Sequence, residues 1–164
     1  MSIHIICNEK SFNCSYANWN IFRIEIIYST IEYLQTLPTV SLEFNTSVPS
    51  STPLRLQEKD YYNEIIIDFV KNIQKIKKHL LIEKIVSLCT ESSFLIDTLI
   101  HYDVGGLFSL CNKNECVGYY SLGNSYDIYE LFSKIKPFII NNNIIDIEKI
   151  FIESINTKKK VIIT

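Results

Sequence analysis

All four glycines of this 164-residue chain fall between positions 105 and 123. Glycine turns a backbone sharply, or lets two backbones touch, because no side chain stands in the way. A chain that confines it to one short stretch reserves its backbone freedom for that stretch and builds the remainder for burial. The stretch itself reads as a hairpin. Gly105-Gly106 ends a preceding helical region, Leu107 to Cys111 and Cys116 to Ser121 read as strands, and Asn112-Lys113-Asn114-Glu115 joins them. Gly118, inside the second strand, predicts a bulge or a close backbone approach. Gly123-Asn124-Ser125 then leads into a helix in which Ile128, Leu131, Phe132, Ile135, Phe138 and Ile139 share one side. Asp127 and Glu130 are placed in its first turn, and Pro137 kinks or ends it.

Upstream, period-two alternation over Ser11 to Tyr16, with Ser2 to Cys7 before it, predicts an N-terminal hairpin turned by Asn8-Glu9-Lys10. From Ala17 to about Leu37, Trp19, Phe22, Ile26, Ile27, Ile31 and Leu34 fall near one helical face. Between Pro38 and Gln57 the pattern dissolves into Ser, Thr and Pro, predicting a loop that is mobile over about 45–57, with room for a short strand at Thr39 to Phe44. From Asp60, Tyr62, Ile65, Ile66, Phe69, Ile73 and Ile76 recur at helical steps. Leu80 to Leu88 and Ser92 to Ile100 continue as helices, the second capped by Ser92 or Ser93. Ile144, Ile147, Ile150, Phe151 and Ile155 make a last helix, and the basic tail Lys158 to Thr164 adds an edge strand. The expected fold is α+β: two β-hairpins in one antiparallel sheet, packed with about five helices. Residues 1–164 are read as a single domain.

Charge excludes one class of function. The net charge is -2, and non-specific nucleic-acid binding needs a basic face that such a balance does not supply. The basic cluster Lys71, Lys75, Lys77, Lys78 and His79 follows the acidic Asp60, Glu64 and Asp68 along one helix, an order that complements the helix dipole. No secretory signal or membrane-length apolar run is read. The five cysteines, an odd number without a compact framework, point to buried free thiols in a reducing compartment, hence the cytoplasm. Ile, Asn and Lys are over-used, as in an AT-rich genome such as that of a large DNA virus.

No motif carries a catalytic set. Cys111 and Cys116 lack a second Cys or His pair at zinc spacing and read as core residues. His101-Tyr102-Asp103 is of interest because an Asp can orient a His, although a surface His at a helix end explains it as well. Gly105-Gly106 lacks the ending of a P-loop and the spacing of a dinucleotide fingerprint. Tyr119 and Tyr120 read as sheet-packing residues. No cofactor and no metal are expected.

Leu110-Cys111-Asn112-Lys113-Asn114-Glu115-Cys116-Val117-Gly118, followed by Tyr126 to Pro137, resembles the tail of a group of small bacterial and viral proteins. Those carry a strand, Asn-His-Ser-Asp-Cys-x-Gly, and a Leu/Ile-patterned helix ending near Pro. Asn112, Cys116 and Gly118 match in place, Glu115 replaces the acid, and Lys113 stands where the His would be. The resemblance covers residues 107–140 and implies that the 112–120 turn is a functional surface.

Two functions follow as expectations. The first is a non-enzymatic accessory or protein-interaction protein of an AT-rich virus or mobile element. Its self-association face would be drawn from Tyr61, Tyr62 and the C-terminal Ile stripe. The second is a small-ligand or enzymatic site at the 101–120 region, using His101, Asp103, Asn112, Glu115, Gly118 and Tyr120.

Overall fold

A computed structural model describes residues 2–37, 54–113 and 117–164, with side chains described from residue 60 onward in the middle stretch. The fold is α+β, as its sequence predicts. Strands β1 (Ser2–Cys7) and β2 (Lys10–Ser15) form the N-terminal hairpin, in register from Ser2 opposite Ser15 to Cys7 opposite Lys10. Asn8 takes the left-handed conformation (φ 55) that a tight turn requires, one that its short polar side chain tolerates. Alternation places Ile3, Ile5 and Cys7 against the core.

Helix α1 (Tyr16–Thr36) starts where the Ser15 hydroxyl accepts the Asn18 N–H at 3.2 Å, and it buries the stripe from Trp19 to Leu34. Helix α2 (Leu54–Gln74) begins six residues before the predicted Asp60. The end of the predicted loop is therefore helical, while the rest of that loop and the Thr39–Phe44 strand lie outside the described residues. Helices α3 (Leu81–Glu91) and α4 (Ser93–His101) follow their predicted spans closely. Ser92 stands at the N-cap of α4 without a capping side-chain bond.

The glycine-rich region departs from its reading. Leu107 to Cys111 is not a strand: Gly106–Cys111 is a buried helical turn and a half, α5. A six-residue run, apolar but for Ser109, is too short for its period to separate the two states. The left-handed turn that closes α4 is made by Asp103 (φ 59), with Val104 N–H donating to the Leu99 carbonyl at 2.8 Å. Gly106 serves another purpose. A Cβ there would stand 2.4 Å from the Asp127 carbonyl oxygen and 2.6 Å from the Ile128 Cα, so glycine lets α5 lie directly against the next long helix. Among the described residues, no atom lies within 4 Å of the Cβ position of Gly118, so none of them makes the predicted close approach.

Strand β3 (Gly118–Tyr120) leads to α6 (Leu122–Ile135), which opens on a capping box. The Ser121 hydroxyl accepts the Asn124 N–H at 3.2 Å and the Asn124 side chain accepts the Ser121 N–H at 3.1 Å. The helix thus begins at Leu122, ahead of the predicted start, and Asp127 falls in its second turn. Pro137 sits in the 3₁₀ turn that ends it, as expected. Helix α7 (Asn143–Thr157) precedes β4 (Val161–Ile163), with Lys158 (φ 55) turning the chain between them. The Ile stripe of α7 is buried, Ile144, Ile147, Ile150 and Phe151 all lying in the core, and so offers no association face.

The sheet is antiparallel throughout, in the order β2-β1-β4-β3. Strand β4 is therefore an interior strand, not the predicted edge. Ile163 pairs with Ile5 on one side and Gly118 on the other. The second antiparallel pair of the sheet joins β3 to the C-terminus, not to residues 107–111. Among the described residues, no helix is long and apolar enough to cross a membrane.

Candidate functional site

The predicted site residues divide between two places. Tyr120 points inward from β3, fully buried, its ring 5.4 Å from that of Phe151 and its hydroxyl without a hydrogen-bond partner among the described residues. Burial pushes that hydroxyl well above the usual phenol range. Gly118 is paired into the sheet, and Asn112 caps α5 through its N–H on the Phe108 carbonyl at 2.7 Å, with its side chain exposed. Glu115 lies outside the described residues. His101 sits elsewhere, at the end of α4, its ring stacked on Tyr62 at 4.4 Å and 15°. The carboxylate of Asp103 lies 3.3 Å from the Lys134 ammonium, so the ion pair this structure gives it is with α6, not with His101.

Beside the first of these places lies a buried charge, Arg23. Arg23, 3% exposed, projects from α1 toward the end of α5. Its guanidinium donates to the Lys113 carbonyl at 3.1 Å and to the Asn20 side chain, with the Trp19 ring 6.0 Å away. Its Nε has no partner among the described residues. This cation answers the carbonyl end of α5 and fixes the 112–113 turn. The signal was present: Arg23 falls four residues after Trp19 and three before Ile26, on the apolar stripe itself.

Cys89 and Cys111 are poor candidates for chemistry. Burial pushes both Cys89 and Cys111 up to about 12, far from the range in which a thiolate forms at neutral pH. The four described cysteines, Cys7, Cys14, Cys89 and Cys111, are free. Among the described residues, no cluster of three or more His, Cys, Asp or Glu converges on a metal position.

The outer face formed by α2 and α4 is different in kind. Phe94 lies 6.2 Å from Tyr61, Tyr61 lies 6.0 Å from Tyr62, Tyr62 stacks on His101, and His101 meets Tyr102 at 5.0 Å. The Tyr102 hydroxyl donates to the Asn63 side-chain oxygen, tying the two helices together. Phe94 is 59% exposed and Tyr61 46%. Beside them a cavity of about 390 Å³ opens, walled by Ile65, Phe69 and Leu95, with Glu64 and Asp68 at its rim. Helix geometry explains the arrangement. Residues 61, 65, 68 and 72 share one side of α2, and 94 and 95 open α4 next to the α3 terminus. Comparison with family models, with curated proteins and with solved structures found no match for the chain.

Proposed function

We propose that this is a non-enzymatic protein-interaction protein that works through its α2/α4 face. One observation carries the reading: a continuous run of aromatic rings ends in two half-exposed side chains beside an open apolar cavity. Large exposed aromatics next to a concave apolar surface are what protein interfaces place at their centres. The buried, high-pKa thiols and the separation of His101 from Tyr120 are consistent with a surface role. Free cysteines support a reducing compartment, and the Ile, Asn and Lys bias supports an accessory role in an AT-rich genome.

A photo-crosslinking residue in place of Phe94 tests this, with the same residue in place of Ile145 as the exposed control on α7. Discrete protein adducts at 94 and none at 145 are expected. Equal labelling at both positions would refute the assignment of the face.

A ligand site at residues 101–120 is the second reading. The observation in its favour is that two buried polar atoms near the 112–113 turn, Arg23 Nε and Tyr120 Oη, have no hydrogen-bond partner among the described residues. Thermal-shift screening against nucleotides and metal ions tests it. A ligand whose shift disappears in Tyr120→Phe would support this reading, and a null screen would remove it.

A further inference from the structure

The exposed ridge of α2 carries Glu64, Asp68 and Lys71 at helical steps, and Lys75 extends the same line just past Gln74. The Lys75 N–H still donates to the Asn72 carbonyl at 3.2 Å, so it continues the helical turn. All four side chains are exposed, and none belongs to an ion pair among the described residues. The acids come first and the bases last. The helix dipole accounts for the lysines, which sit at the C-terminal end, but its influence fades within one turn. Glu64 and Asp68 lie ten and fourteen residues beyond the start at Leu54, out of its reach. Asp68 and Lys71 stand at i,i+3, an opposite-charge spacing that serves the helix itself, whereas Glu64–Asp68 and Lys71–Lys75 set like charges at i,i+4, which costs the isolated helix.

Such a pattern is self-complementary when two copies lie antiparallel. In one register Glu64 faces the partner's Lys75 while Asp68 faces the partner's Lys71, and the two-fold axis makes each contact occur twice. The cavity that Glu64 and Asp68 rim lies alongside that seam on each copy, with Tyr61 and Phe94 beside it. We propose that the partner of the α2/α4 face is a second copy of this chain, joined through antiparallel α2 helices. This rests on the interaction reading given above and names its partner. Exposed ion pairs contribute little affinity singly, so their part is register and orientation, and the aromatic flank supplies the apolar area. The dimer is accordingly concentration-dependent and sensitive to salt.

The test is sedimentation velocity of the full chain across a concentration series, with two charge-reversed forms. Wild type is expected to shift from monomer to dimer mass. Glu64→Lys with Asp68→Lys, and separately Lys71→Glu with Lys75→Glu, are expected to weaken dimerisation at least about tenfold by setting like charges together. An equimolar mixture of the two reversed forms restores complementarity at every position and is expected to recover a dimer of mixed composition. Circular dichroism checks that each form is folded, and the mixture is a positive signal that misfolding cannot produce. Wild type that stays monomeric, or a dimer indifferent to both reversals, would overturn the inference. Adducts at position 94 with other proteins from a monomeric chain would sink the self-pairing yet leave the interaction reading standing. No specific adduct at 94 would sink that reading instead.

Discussion

Two runs of five aromatic side chains cross this molecule, and they differ in one respect only. The inner run passes from Trp19 to Phe22 (5.5 Å), Phe132 (6.4 Å), Phe151 (6.1 Å) and Tyr120 (5.4 Å). The outer run passes from Phe94 through Tyr61, Tyr62 and His101 to Tyr102 at similar spacings. Ring pairs at these distances are worth roughly 0.5–1.5 kcal/mol in either setting. What separates the runs is water. Every member of the inner run is buried, whereas the outer run ends in solvent at Phe94 and Tyr61. Contacts alone therefore do not tell a core from an exposed face. The cost of removing a ring does.

The largest effect belongs to the inner run. Phe132 touches Phe22 and Phe151 at once and links α1, α6 and α7. Phe132→Ala is expected to cost about 3–5 kcal/mol in urea unfolding, through lost burial and the cavity left behind. A loss below about 1 kcal/mol would mean that the inner run does not unite the core.

A smaller effect is expected where the backbones touch. Gly106→Ala would force a methyl group into the Asp127 peptide, whose atoms cannot swing aside as a side-chain tip can. The two helices must separate, at a cost of roughly 1–3 kcal/mol. Gly105→Ala is the contrast: its nearest atom is the movable Ile100 Cγ1 at 2.7 Å, so the loss is smaller. Equal losses at both glycines would break the distinction between them.

What could be read in advance follows from the same contrast between local and non-local causes. The N-terminal hairpin and α1 announce themselves through period two and period 3.6, because each buries one face against everything else. Residues 107–111 do not, since a short segment buried at all but Phe108 shows no polar face to mark its period. The central position of β4 depends on the ends of the chain meeting, which no local window contains. Of the outer run, Tyr61 and Tyr62 were legible as candidates and His101 was singled out, but Phe94 was not. The partnership of α2 with α4 that makes these residues one surface is tertiary. Arg23 was legible in principle, as a charge standing on an apolar stripe.

The thiols beneath the inner run give a pH test. Cys89 and Cys111 are raised from 9.0 to about 12 by burial, so the folded state holds their protons more tightly than the unfolded chain. That contribution is intact below pH 9 and is lost as pH rises from there toward 12. A decline of roughly 1 kcal/mol or more per thiol is expected in denaturant titrations across that window. Cys111→Ala should decline less steeply than wild type. Identical slopes would show that the thiol is hydrated and that the inner region is not sealed.

The smallest expected change is the one that defines the outer run. Phe94 is mostly in water, and its ring meets that of Tyr61 edge to face. Phe94→Ala should therefore alter unfolding free energy by less than about 0.5 kcal/mol, as surface substitutions away from special features do. Under the interaction proposal, the exposed Phe94 ring contributes to binding rather than to folding. The same variant should accordingly weaken association by a far larger factor than it weakens folding, measured by sedimentation on the protein that gave the unfolding curve. Were Phe94→Ala to cost as much stability as Phe132→Ala, the outer run would be a second core that happens to be exposed, and the interface reading would lose its one supporting observation.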